Sequence, residues 1–161
     1  MRTALFAALF LAAPAVAADE VKLQDVDLDG LLKAVAEHKG KVVVIDVWAN
    51  FCVPCKEKFP HMVQLANEYK GRGVVFISLT IDDPEDRDKA LAFLQKNNAW
   101  FQNFFLKDKD KNEKPGDEKL YHSAPPIVHV WDQSGKKVKT YEGKKEAAQL
   151  DGLLEELTKK K

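Results

Sequence analysis

The chain has 161 residues, enough for one domain with a hydrophobic core and too few for two comfortable ones. Apolar residues make up 45% and charged residues 31%, a composition that does not favour a disordered tail. The 25 basic and 25 acidic side chains cancel, which removes the electrostatic case for a nucleic-acid-binding surface.

Arg2 places one positive charge ahead of the apolar run that begins at Ala4, and Ala15-Val16-Ala17-Ala18 ends that run with small residues. This pattern predicts a secretory signal peptide over residues 1–18, cleaved after Ala17 or Ala18, with 19–161 as the mature domain. The run is short for a membrane span and is interrupted by Pro14. The expected product is therefore a periplasmic or otherwise secreted protein with no stable membrane insertion after cleavage. Neither candidate N-terminus is a cysteine, so a lipid anchor is not expected.

Val26 to His38 carries Leu28, Leu31, Leu32, Val35 and Ala36 at helical spacing and stops at Gly40, which predicts a first amphipathic helix. Lys41 to Trp48 is a β-branched run suited to a strand covered on both faces. From Pro54 to Tyr69 the apolar residues return to helical period. Val74 to Ile81 reads as a second buried strand, after which Asp82-Asp83-Pro84-Glu85-Asp86 supplies a helix start ahead of Ala90, Leu91, Phe93 and Leu94. Trp100 to Leu106 follows as a short aromatic strand or edge segment.

Lys107 to Lys119 is polar and contains Pro115-Gly116, which predicts a solvated loop. Its Asp108-x-Asp110-x-Asn112 start resembles a calcium loop, but Glu113 and Lys119 stand where that loop needs Gly and Glu. Ile127 to Trp131 and Lys137 to Tyr141 predict two antiparallel strands, and Glu146 to Leu157 a closing helix. This order predicts an α/β layer architecture.

The two cysteines, Cys52 and Cys55, fall where the first strand turns into the second helix. A structural disulfide stabilises chiefly by closing a long loop, and this pair closes almost none, so it needs a chemical explanation. At the start of a helix, a first thiolate faces unpaired N–H groups and the positive end of the dipole, which makes Cys52 the expected nucleophile. Cys55, one turn further in, is placed to resolve a mixed disulfide. A zinc site would need about four ligands, and the chain has no second cysteine pair.

Val44-Ile45-Asp46-Val47-Trp48-Ala49-Asn50-Phe51-Cys52-Val53-Pro54-Cys55-Lys56 resembles the strand, W-A-x-W-C-x-P-C-K site and helix of the thioredoxin superfamily, and Pro60 matches its helix-kinking proline. Pro126 stands six residues before Asp132, as the family's cis-proline does. Together with the leader and the extra segment between Asp82 and Leu106, these features make the exported TlpA/ResA-like branch the nearest relatives. The resemblance implies a thioredoxin-like fold, a central mixed β-sheet flanked by helices on both faces. It implies catalytic roles for Cys52, Cys55, Asp46 and Pro126, and substrate contacts from Trp48, Phe51, Pro54 and Pro125. It also implies a redox-active Cys52–Cys55 disulfide with no cofactor, a protein disulfide as substrate, a membrane thiol reductase as electron donor, and a monomer. Reduction of apocytochrome c thiols or of a copper-site dithiol are the substrates it implies.

Asp46, six residues before Cys52, is expected to have a raised pKa in its apolar strand and to exchange a proton with Cys55. The branch usually has Asn there. Phe51 replaces the usual Trp and loses the indole donor. Lys58 stands where the branch commonly has Glu; a cation near the dithiol would favour thiolate over thiol and a less reducing potential, but Lys58 is expected to point to water. Pro125 has no N–H to pair with a substrate backbone. Val53-Pro54 offers no polar side chain to a thiolate, which favours the reductant direction.

Copper binding as in Sco-type chaperones would use a C-x-x-x-C spacing, one residue longer than here, and His61, His122 and His129 fit ordinary surface or half-buried positions. No metal site is expected. A peroxiredoxin would need a hydroxyl at the position of Ala49. The reading from a different class is a copper-binding or adaptor protein on the same fold.

Overall fold

The computed structural model describes residues 20–107, 124–143 and 149–159. The expected leader, most of the 107–119 loop with its calcium-like pattern, His122 and the first residues of the expected closing helix lie outside the described residues. The elements run β1 (Gln24–Val26), α1 (Leu28–Glu37), β2 (Val42–Trp48), α2 (Val53–Glu68), β3 (Val74–Thr80), a 3₁₀ turn (Pro84–Asp86), α3 (Arg87–Lys96), β4 (Gln102–Leu106), β5 (Ile127–Trp131), β6 (Lys137–Glu142) and α4 (Leu150–Thr158).

The six strands form one mixed sheet in the order β1-β4-β3-β2-β5-β6. β1, β4, β3 and β2 are parallel neighbours, while β5 runs antiparallel to β2 and β6 antiparallel to β5. With four helices among the described residues about this sheet, the chain has the thioredoxin-like α/β fold.

All seven residues of β2 are buried, as its nearly continuous apolar run, broken by Asp46 alone, requires for a central strand. Alternate residues enter two cores, Val43, Ile45 and Val47 in one and Val42 and Val44 in the other. The first core is filled by Leu28, Leu31 and Val35 of α1 and Ala90 and Leu94 of α3; the second by Leu150 and Leu154 of α4. Helix α2 serves both, with Cys55 and Phe59 in the first and Met62, Leu65 and Ala66, together with its C-cap Tyr69, in the second. The helix that carries the cysteines is thus anchored by buried apolar side chains, of which Phe59, Met62 and Leu65 each contribute about 1.5–3 kcal/mol.

The sequence pattern joins Val26 to the first helix, whereas Val26 ends β1, paired to Leu106, and Asp27 caps α1 through a 2.7 Å bond from the Gly30 amide. A three-residue strand is too short to show a period, which is why periodicity alone runs past it. Arg87 fixes this edge by donating to the Leu23 carbonyl at 2.7 Å and to Asp25 at 3.1 Å.

Candidate active site

The site begins where β2 leaves the sheet. The Trp48 carbonyl accepts from the Ile81 amide at 3.0 Å, and the Ala49 carbonyl then accepts from the Cys52 amide at 3.1 Å, turning the chain into α2. Cys52 is the N-cap residue of α2, and its Sγ accepts the Cys55 amide at 3.2 Å. Pro54 occupies the first turn, where its missing N–H is no loss. In the reduced protein, that amide and the helix dipole favour thiolate over thiol at Cys52.

Cys52 and Cys55 are joined by a disulfide, with S–S 2.04 Å and Cα–Cα 5.3 Å. Both cysteines are largely covered, Cys52 at 5% exposure and Cys55 at 1%. The peptide bond between Pro125 and Pro126 is cis, Pro126 is buried, and the Pro125 carbonyl oxygen lies 3.3 Å from Cys52 Sγ. Two remote segments, residues 52–55 and 124–126, thereby meet at the reacting sulfur. Phe51, Val53 and Pro54 are exposed beside it, and Pro125 is half-buried.

Trp48 does not share this surface. Its ring is fully buried, stacked 5.5 Å from Phe59 and 4.9 Å from Phe93, and its indole Nε1 donates to Ser78 Oγ at 3.1 Å. The expected substrate contact from Trp48 is therefore corrected to a core role, because its donor is already satisfied inside the sheet. Pro60 lies within α2, where its ring removes the amide that would have paired with the Lys56 carbonyl.

Lys58 does not point to water. It is buried at 5% exposure, and its ammonium pairs with Asp46 Oδ1, so the solvated reading is overturned. Three residues past Cys55, Lys58 shares a helix face with it and ties the dithiol helix to β2. Burial raises the Asp46 pKa above the usual carboxylate value, and the Lys58 ammonium opposes that rise. Asp46 Oδ2 has no hydrogen-bond partner among the described residues.

Sequence reasoning missed Asp82, which it reads as part of a helix start. Asp82 is instead fully buried at the end of β3, accepting from the Asn50 amide at 2.7 Å, the Asn50 side chain at 2.9 Å and the Thr80 hydroxyl at 2.6 Å. It is Asp83 that precedes the 3₁₀ turn. An acidic residue at the end of a buried strand, two residues past a Thr, was the signal available.

His61 is exposed on α2. His129 is buried on β5, bonded through Nδ1 to Thr140 Oγ1 at 2.9 Å and packed edge-on against Trp131. No group of three or more His, Cys, Asp or Glu side chains suited to a metal ion occurs among the described residues. Nor is any described helix long and apolar enough to cross a membrane.

Fold and site together define a thioredoxin-like protein with a redox dithiol at a helix N-terminus. Comparison with known proteins agrees. The Redoxin family profile matches residues 12–151. The chain is 31% identical over 134 residues to a thiol-disulfide oxidoreductase ResA of Bacillus thuringiensis subsp. konkukian, covering 82% of this chain and 72% of that protein. A thioredoxin family thiol:disulfide interchange protein from Chlorobium tepidum superposes with a TM-score of 0.63 at 20% identity, over 76% of this chain and 83% of the other. A thiol-disulfide isomerase from Corynebacterium glutamicum gives 0.64 at 19% identity, over 78% and 86%; both structures bear on the fold alone. The chain belongs to the Redoxin family, in the ResA/TlpA-like branch of the thioredoxin superfamily.

Proposed function

We propose that this thiol-disulfide oxidoreductase works outside the cytoplasm as a reductant of protein disulfides. The observation that carries the reading is the Cys52–Cys55 pair at the N-terminus of α2, with the Cys55 amide aimed at Cys52 Sγ.

In the reduced protein the Cys52 thiolate attacks one sulfur of the substrate disulfide, forming a mixed disulfide while the displaced substrate thiolate takes a proton. Cys55 then loses its proton, attacks Cys52 Sγ and releases the second substrate thiol. Two electrons pass to the substrate and the Cys52–Cys55 disulfide forms. Asp46, with its raised pKa and open Oδ2, takes the proton of Cys55 in this second step and gives it up again as the departing substrate thiolate is protonated, which restores its pair with Lys58. Pro126 and Pro125 shape the surface against which the substrate strand lies, and Phe51, Val53 and Pro54 give it an apolar rim. Pro125 offers a carbonyl and no amide, so pairing there is one-sided.

The leader-like residues 1–18 support an extracytoplasmic location, and a membrane thiol reductase then supplies the electrons. Apocytochrome c haem-site thiols or a copper-site dithiol are the substrates this reading favours, with a monomer as the working form.

Equilibration of the full chain in thiol redox buffers, with free thiols counted by alkylation and mass, tests the direction. A potential near or below about −250 mV supports the reductant, and one near about −120 mV makes it an oxidant. No reversible pair removes the redox reading, and copper held stoichiometrically by the reduced protein but lost in Cys52→Ser replaces it with a carrier.

A further inference from the structure

We propose that Asp82, Asn50 and Thr80 form a positioning clamp that holds the Cys52 thiolate at the helix N-terminus; the proposal rests on Cys52 being the nucleophile of the reading above. Asp82 Oδ1 accepts the Asn50 backbone amide at 2.7 Å, and Oδ2 accepts the Asn50 side-chain amide at 2.9 Å and the Thr80 hydroxyl at 2.6 Å. Asn50 is gripped by backbone and side chain at once, two residues ahead of the nucleophile. Both carboxylate oxygens act as acceptors.

Burying a carboxylate at 0% exposure is costly, and an apolar residue would close the end of β3 more cheaply if packing were its purpose. What the carboxylate provides is a fixed entry into the cysteine turn. Phe51 is 66% exposed and cannot anchor that turn by packing, so Asn50 is its inner anchor. The bond from the Ile81 amide to the Trp48 carbonyl, 3.0 Å, holds the same crossing one step earlier. Once the turn is fixed, Cys52 Sγ stays within 3.2 Å of the Cys55 amide, the donor that favours its thiolate. A loosened turn spreads Sγ over positions that lack this donor. The thiolate then forms less readily.

Asn50→Ala and Thr80→Val each remove one bond to Asp82 while keeping its carboxylate, and Thr80→Ser keeps the hydroxyl. All three are made in a Cys55→Ala background, where Cys52 is the one thiol, and Lys56, Glu57 and Lys58 are unchanged. Thiolate absorbance at about 240 nm is read at pH 7 beside a thermal midpoint. Asn50→Ala and Thr80→Val are expected to lower the thiolate fraction roughly threefold to tenfold, with Thr80→Ser within about twofold of the parent. An unchanged thiolate fraction in both, with only the thermal midpoint lowered, overturns the proposal and leaves the cluster a structural one. If Thr80→Val does not fold, Asn50→Ala decides alone, since its backbone amide still reaches Asp82. Failure of the parent reading shows separately, as the absence of a reversible Cys52–Cys55 pair in the wild-type chain.

Discussion

On its outer side Cys52 is flanked by Phe51 at 66% exposure and Val53 at 59%, whereas on its inner side Asp46, Lys58 and Asp82 are all at 5% or less. Apolar side chains face water and charged ones are sealed, the reverse of ordinary partition. The two regions answer to different demands. An apolar rim gains its favourable term only when a partner covers it, so its residues are nearly free of folding duty. The inner charges are bound into the fold through each other, and each loses its compensation when its partner goes. Changes to the inner side should therefore show as stability and proton effects, and changes to the rim as substrate effects.

The sulfurs themselves stand between the two, and their removal has the largest effect. Cys52→Ser should lower turnover of a disulfide-linked test peptide by about 10³-fold or more, since the nucleophile is gone. Cys55→Ser should accumulate mixed disulfides through Cys52, seen as a mass increase reversed by dithiothreitol. Trapping by Cys52→Ser alone would exchange the two roles.

Next in size is the buried pair. Lys58→Met should cost about 3–5 kcal/mol at pH 8, because it strands the Asp46 carboxylate in the core. Without the ammonium, burial acts unopposed and lifts the Asp46 pKa further above its unfolded value. The folded chain then keeps a proton that the unfolded chain has released. Lys58→Met should accordingly be least damaged near pH 4 and lose stability as pH rises through the folded pKa. Denaturant midpoints across pH give this directly, and a flat difference from wild type would deny that Asp46 is the stranded group. Adding Asp46→Leu should recover most of the lost stability and abolish the pH slope.

Trp48 sharpens the division because its sequence neighbours place it on the rim and its packing places it inside. Trp48→Phe should cost about 1–3 kcal/mol through the lost bond to Ser78 and the looser aromatic cluster, with KM for the test peptide within about twofold. A change in KM without loss of stability would return Trp48 to the substrate surface.

The central fold is legible in the chain because β2 and β3 are mostly apolar runs rich in β-branched residues and α1, α2 and α3 carry clear helical periods. Cys52, Cys55 and Pro126 are legible for a similar reason, since helix-start chemistry and a fixed motif mark them. The side-chain pairings are not. Whether Lys58 reaches Asp46 or water depends on the distance from α2 to β2, a tertiary quantity with no local signature. Asp82 is hidden more deeply, because an acidic residue ahead of Asp83-Pro84 has the look of a helix start, and only the pairing of the end of β3 with the exit of β2 shows what it accepts.

The smallest expected effect tests the rim. Phe51 is exposed, and among the described contacts its side chain carries no hydrogen bond or ring stacking. Phe51→Ser removes its apolar surface and leaves the Asn50 anchor and the Cys52 N-cap in place. Stability should move by no more than about 0.5 kcal/mol, and the redox potential should stay unchanged. A protein substrate that covers the rim loses that burial, so KM should rise roughly threefold to tenfold, while a small disulfide such as oxidised glutathione should show no such rise. Equal effects on both substrates would mean that Phe51 acts on the thiolate rather than on the partner, and would dissolve the distinction between the rim and the inner charges at this residue.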